Sequence, residues 1–217
     1  MFDLYVFDLD GTLVDTRRDI ATAVNHVLDL HARPAAELST IISWVGDGLD
    51  DMMARAFKTD DPEFIEQLVD EFRLFYAEHC TDFSCLYDGC SETLASLRAS
   101  GPHLSVLTNK PQDLSIEILR RLGIFEHFDH VVGPTDAELR KPNPSNLLSL
   151  MRDVGAGSEG TLMVGDSRND ILVAHNAGVP SCGCTFGYVG RTALVELNPT
   201  YLIDTWPDLL TLGTPKS

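Results

Sequence analysis

Two spacings of hydrophobic residues divide the chain. At the start, Leu4 to Phe7 is a short apolar run with one β-branched and two aromatic residues, which predicts a strand buried on both faces. After Val14 the spacing becomes helical. Ile20, Ala23, Val24, Val27 and Leu28 recur at helical intervals behind the polar segment Asp15-Thr16-Arg17-Arg18-Asp19, so a helix is predicted to open there and close near His31. Arg33-Pro34 interrupts the pattern. Further helices are predicted over Ala35 to Ile42, Leu49 to Phe57 and Pro62 to Glu78, with Trp44-Val45-Gly46-Asp47-Gly48 as a loop. No strand is predicted between Asp15 and about Cys85.

Beyond Tyr87-Asp88-Gly89 the pattern changes to short apolar runs alternating with helical stretches. Strands are predicted at Leu104 to Leu107, His130 to Val132, Leu162 to Val164, Pro180 to Cys184 and Tyr201 to Ile203. Helices are predicted at Ser91 to Leu97, Asp113 to Leu122, Pro144 or Ser145 to Val154, Ile171 to Ala177 and Trp206 to Leu212, with Gly123 and Gly178 as left-handed stops. Such alternation predicts an α/β fold, a Rossmann-like parallel sheet with helices on both faces. Residues 1–14 and 86–217 would form this core, and residues 15–85 an all-helical insertion joined to it by two hinges.

Composition narrows the function. The 217 residues are 44% hydrophobic, enough to bury a full core, and 33 acidic against 16 basic residues give a formal charge of -17. That charge repels phosphate backbones and anionic lipid, so neither nucleic acid nor membrane is an expected partner. A small anionic substrate remains compatible if a metal ion and a few local cations reverse the potential inside a cleft. The cysteines, Cys80, Cys85, Cys90, Cys182 and Cys184, are odd in number and contain no C-x-x-C pair; they are expected as reduced thiols in the cytoplasm. No apolar run is long enough to span a bilayer.

The candidate chemistry sits at the ends of the predicted strands, the edge where parallel sheets bind ligands. Asp8 and Asp10 follow the first strand, Thr108-Asn109-Lys110 the second, Lys141-Pro142 the loop after the third, and Asp166-Ser167-Arg168-Asn169-Asp170 the fourth. Alternate residues on an extended chain point the same way, so Asp8 and Asp10 are expected to converge, with Gly11 allowing a sharp turn. Like charges held together require a cation or a proton. Carboxylates with few protein ligands suit Mg²⁺, while hydroxyl, amide and ammonium groups suit phosphoryl oxygens. Asp8, Asp166 and Asp170 around a metal, facing Thr108, Asn109 and Lys141, make a phosphate-sized site with a carboxylate nucleophile and Asp10 as general acid.

These motifs, Asp8-Leu9-Asp10-Gly11-Thr12-Leu13, Leu107-Thr108-Asn109, Lys141-Pro142 and Val164-Gly165-Asp166-Ser167-Arg168-Asn169-Asp170, resemble the signature of the haloacid dehalogenase superfamily. Within it the chain is most similar to the phosphoglycolate phosphatase-like branch, through Thr108-Asn109-Lys110, the Ser-Arg-Asn-Asp run, Trp44-Val45-Gly46-Asp47-Gly48 and Gly187-Tyr188. The resemblance implies that residues 15–85 are a small helical cap. It implies that Asp8 is phosphorylated by the substrate, most naturally 2-phosphoglycolate, and that Asp10 protonates the leaving alkoxide and then deprotonates water. It further implies that Mg²⁺ is held by Asp8, the Asp10 carbonyl and Asp166, supported by Asp170.

Specificity is expected from the cap. Gly46, Asp47 and Gly48 would form a loop over the substrate, and Arg17, Arg18 and Lys110 are the nearest cations to meet a substrate carboxylate. A sugar phosphomutase, a pyrophosphatase or a nucleotidase would use the same core motifs, and a non-catalytic phosphate-binding regulatory module would keep the fold without turnover. A monomer and a homodimer are equally compatible with the sequence.

Overall fold

A computed structural model describes residues 1–213 of the chain. In chain order its elements are β1 (Leu4–Phe7), β2 (Val14–Asp15), α1 (Arg17–Leu30), α2 (Leu38–Ile42), α3 (Leu49–Phe57), α4 (Pro62–His79), β3 (Cys85–Leu86) and α5 (Cys90–Ser100). There follow β4 (His103–Leu107), α6 (Gln112–Arg121), β5 (His130–Val132), α7 (Ser145–Val154), β6 (Thr161–Gly165), α8 (Arg168–Ala177), β7 (Ser181–Cys184), α9 (Gly190–Glu196) and β8 (Tyr201–Ile203). Short 3₁₀ turns lie at Phe125–His127, Ala137–Leu139 and Trp206–Thr211.

Six strands form one parallel sheet in the order β5-β4-β1-β6-β7-β8. β1 is central and every one of its residues is buried, as expected for a strand covered on both sides. Its side chains alternate between two apolar layers. Leu4 and Val6 pack with Leu147, Leu150 and Val173 from α7 and α8, whereas Tyr5 and Phe7 join the larger cluster that includes Leu94, Leu97 and Trp206. The chain runs outward from β1 through β4 to β5 and then returns to the other side of β1 as β6. β1 therefore borders a switch point, and Phe7 is level with both Val106 and Val164. The residues that follow β1, β4 and β6 consequently emerge along one rim.

The segment between β2 and β3 is helical, and its two exits run side by side as an antiparallel pair, Val14 opposite Leu86 and Asp15 opposite Cys85. This pair corrects the expectation of a strand-free connection, because two chains crossing the same hinge satisfy one another's backbone groups. Asp19, buried in the first turn of α1, locks the hinge further. Its carboxylate accepts the backbone N–H of Phe83 at 3.0 Å, the N–H of Ser84 at 2.7 Å and the Ser84 hydroxyl at 2.5 Å.

Other departures from expectation have local causes. The helix expected from Ala35 starts only at Leu38, because the Asn25 side chain takes both the N–H of Ala36 at 2.8 Å and its carbonyl at 3.2 Å. α8 starts at Arg168, ahead of Ile171, because Ser167 and Asp170 form a capping box. α9 buries only Leu194 and so carries no apolar stripe to predict it. Cys182 and Cys184 are alternate buried residues of β7.

Asp19→Ala is expected to leave the Phe83 and Ser84 donors unpaired at a cost of about 2–3 kcal/mol. By thermal melting that is a fall of roughly 5–10 °C for a chain of this size. Asp19→Asn, which keeps one acceptor, is expected to lose less; a melting point unchanged in the Ala variant would contradict the lock.

Candidate active site

The rim is the floor of a cavity of about 370 Å³ that reaches from Asp8 and Asp10 to the helical segment. Asp8 leaves the end of β1 with its side chain almost buried. Lys141, itself 2% exposed, places its Nζ 2.8 Å from Asp8 Oδ1 and 2.6 Å from Asp170 Oδ1. The other Asp170 oxygen accepts the backbone N–H of Ser167 at 2.9 Å and its hydroxyl at 2.7 Å, closing the capping box of α8. One carboxylate thus anchors both a helix start and the only ammonium in reach of Asp8 among the described residues.

Asp166 faces Asp8 from the end of β6. It accepts the Thr12 hydroxyl at 3.2 Å through Oδ1 and the backbone N–H of Tyr188 at 2.6 Å through Oδ2. Gly11 and Gly187 make room for it, since a Cβ on either would collide with the Asp166 side chain. The carboxylates of Asp8, Asp166 and Asp170 each offer an oxygen, and these oxygens lie within 4.8 Å of one another. A buried set of hard oxygen donors this close is chemically suited to a small divalent cation.

The Asp10 carboxylate lies apart from that triad. It accepts the Thr16 hydroxyl at 2.6 Å and Lys110 Nζ at 3.1 Å, while Lys110 also reaches the Tyr76 hydroxyl on α4 at 3.0 Å. Burial above all, with Asp10 adding, pushes the Tyr76 hydroxyl well up, so it remains a protonated donor at neutral pH. Thr108 is buried at the end of β4, and its oxygen accepts the Lys110 N–H at 3.2 Å, leaving the hydroxyl proton unspent.

Asn109 lines the cavity, and its side chain is hydrogen-bonded to two backbone neighbours. Its amide nitrogen donates to the Lys141 carbonyl at 3.0 Å and to the Gly46 carbonyl at 2.8 Å, and its oxygen accepts the Lys141 N–H at 2.7 Å. It braces Lys141 and ties it to the Trp44–Gly48 loop. Gly46 and Gly48 line the cavity, with φ of 122° and 115° that favour glycine.

Three of the expected substrate-facing side chains are engaged by other groups. Asp47 turns its carboxylate to Arg55 at 2.5 Å and Asn169 at 3.0 Å, outside the cavity lining. Arg18 is exposed with its guanidinium 4.0 Å above the Phe83 ring, and Arg17 is paired with Asp15 at 2.5 Å. No local pattern marks Tyr76 or Arg140 as site neighbours, because each acts across a long stretch of sequence; Asn169 and Tyr188 stand in motifs already noted, but their contacts to Gly46 and Asp166 do not follow from those motifs.

Residues 5–184 match the haloacid dehalogenase-like hydrolase family. Phosphoglycolate phosphatase from Pasteurella multocida (strain Pm70) is 35% identical over 219 residues, covering 97% of this chain and 98% of the relative. Phosphoglycolate phosphatase from Yersinia pseudotuberculosis serotype I (strain IP32953) is 36% identical over 215 residues, covering 97% and 93%. A crystal structure of a predicted phosphoglycolate phosphatase from Haemophilus somnus 129pt superposes with a TM-score of 0.90 at 33% identity, covering 97% of each chain.

The charges on the floor do not balance. Burial, reinforced by the Asp170 charge and opposed by Lys141, pushes the Asp8 carboxyl from the usual 3.8 up to about 7. Burial and the neighbouring carboxylates Asp170 and Asp8 push Asp166 well up too. Burial would lower the Lys141 ammonium, but Asp170 and Asp8 outweigh it and hold the proton on. A carboxyl raised on folding binds its proton more tightly in the folded state, so its contribution is fully present below about pH 3.8 and is lost as pH rises through about 7. Metal-free protein is therefore expected to lose melting temperature between pH 4 and 7, and Asp8→Asn to flatten that slope. Saturating divalent cation at pH 7.5 is expected to raise melting by roughly 5–10 °C at about 100 times its Kd. A pH-independent melting point in this window, unmoved by cations, would contradict the charge balance.

Proposed function

The chain belongs to the haloacid dehalogenase-like hydrolases and is a phosphoric monoester hydrolase, and from that premise we propose that it hydrolyses 2-phosphoglycolate with Mg²⁺ through an aspartyl phosphate on Asp8. The observation that carries the reading is the Lys141 clamp, which holds the Asp8 carboxylate beside Asp166 at the floor of a cavity. Residues 15–85 form the cap, and residues 1–14 and 86–217 the core that carries the chemistry, the last four of them lying outside the described residues. Four buried thiols and one exposed thiol, all free, suit a reducing compartment, and the cytoplasm is proposed on that ground.

Asp8, Asp166 and the Asp10 carbonyl would hold Mg²⁺, and Asp170 would support them through Lys141 and the start of α8. When bound, the ion neutralises charge on the transferring phosphoryl oxygens. Lys141 and the unspent Thr108 hydroxyl hold those oxygens, and Asp8 attacks phosphorus. As the ester P–O bond breaks, Asp10 gives its proton to the departing alkoxide. Asp10 then takes a proton from the water that attacks the aspartyl phosphate, and phosphate leaves with Asp8 restored. Thr16 and Lys110 fix the Asp10 carboxyl for both transfers.

The named relatives support 2-phosphoglycolate as substrate. Of the three cations considered from sequence, Lys110 alone lines the cavity, so it is the group proposed to face the substrate carboxylate.

Phosphate release from 2-phosphoglycolate is expected to require Mg²⁺ and to vanish in Asp8→Asn. Asp10→Asn, which removes one general acid-base group, is expected to lose about 10²- to 10⁴-fold in kcat. Near-wild-type release by purified Asp8→Asn protein would overturn the covalent route.

A further inference from the structure

The cavity has two ends of opposite chemistry. Its floor carries the carboxylates and ammonium groups already described. Its walls on the side of the helical segment are Ile20, Ile42, Val45, Leu49, Met52 and Phe72, with Ser39 and Ser43 as polar exceptions. The Ser43 hydroxyl is already turned back to the Thr40 carbonyl at 2.6 Å.

Arg140 and Asp47, charged neighbours of this end, are engaged elsewhere. Arg140 pairs with Asp50 at 2.6 Å and Asp51 at 3.4 Å, and the Asp47 carboxylate is held by Arg55 and Asn169. Lys110 sits at the floor between Asp10 and Tyr76. An ester whose leaving group ends in a carboxylate would send that charge toward apolar walls unless it folded back to Lys110. Size points the same way: about 370 Å³ lies within the range of pockets that enclose whole drug-sized molecules, more than phosphate and a two-carbon acid require.

We propose that the apolar end of this cavity is a leaving-group subsite, and that the protein also hydrolyses phosphomonoesters of apolar alcohols. The proposal rests on the phosphatase reading above and widens its substrate class. The balance is that of the same reaction: the P–O bond to the alcohol breaks, the alkoxide takes the Asp10 proton, and water supplies the oxygen that leaves with phosphate. Only the group lying against Ile42, Val45, Met52 and Phe72 differs. Each methylene that enters such a chamber leaves water, and the gain in transition-state binding appears directly in kcat/KM.

A series of unbranched alkyl phosphates tests this, because methyl to pentyl phosphate changes apolar length with little change in the alkoxide's basicity. With Mg²⁺ present, kcat/KM is expected to rise about two- to fourfold per methylene. In Ile42→Asn and Val45→Thr, side chains only partly buried, the rise is expected to flatten. A flat or falling series in the wild-type protein, with 2-phosphoglycolate still hydrolysed, would overturn the subsite and leave the phosphatase reading in place. A rise left unchanged in both variants would overturn the placement of the subsite against these residues. No release from any ester, 2-phosphoglycolate included, would remove the phosphatase reading and this inference with it.

Discussion

Carboxylates crowded at the ends of β1 and β6 are the constraint to which the rest of the structure answers. Asp8, Asp166 and Asp170 are buried within reach of one another, and Lys141 alone is interposed between two of them. Charges of one sign this close are unfavourable in a medium less polar than water unless a proton or cation joins them. The fold supplies both remedies in part. Asp8 and Asp166 are pushed toward their protonated forms, and their oxygens remain close enough for a divalent ion to replace the proton. The surrounding architecture holds this unfavourable arrangement rigid: glycines at 11 and 187 admit Asp166, the capping box of α8 orients Asp170, and Asn109 braces the backbone of Lys141.

The helical segment is fastened to that rim by contacts that also shape the cavity. The Gly46 carbonyl accepts from Asn109 at 2.8 Å and from Asn169 at 3.1 Å, Arg140 reaches Asp50, and Tyr76 meets Lys110. Two of these, through Asn109 and Lys110, join the helical segment to residues that hold Lys141 or Asp10. The position of the helices and the geometry of the charged floor are therefore coupled through single side chains. The cavity thus has polar contacts at its edge and apolar walls inside.

Much of this was legible in the sequence, for identifiable reasons. A strand buried on both faces reads as a short apolar run, so β1 is found at its expected residues, as is the half-buried edge strand β5, and the strand-end polar clusters fall on one rim because a parallel sheet puts them there. Helix starts governed by distant side chains were not legible: Asn25 delays α2, and α9 lacks an apolar stripe. Among site residues, Asp8, Asp10, Thr108, Asn109, Lys141 and Asp166 line one cavity, but the Asp10 carboxylate pairs with Thr16 and Lys110 and stands outside the Asp8 triad. The contacts of the helical segment do not follow from spacing, because they depend on how it folds over the core. Arg18 stacks on Phe83, Asp47 turns to Arg55 and Asn169, and Lys110 pairs with Asp10 rather than standing free.

A divalent cation bound by this triad would take the place of a proton among these carboxylates. Calorimetric titration of the metal-free protein with Mg²⁺ at pH 7, repeated in two buffers of different ionisation enthalpy, counts protons released on binding. With Asp8 pushed up to about 7, the account predicts saturable binding that releases roughly half a proton or more, with the Asp8 share gone in Asp8→Asn. Binding without proton release, or no binding to the wild-type protein, would contradict it.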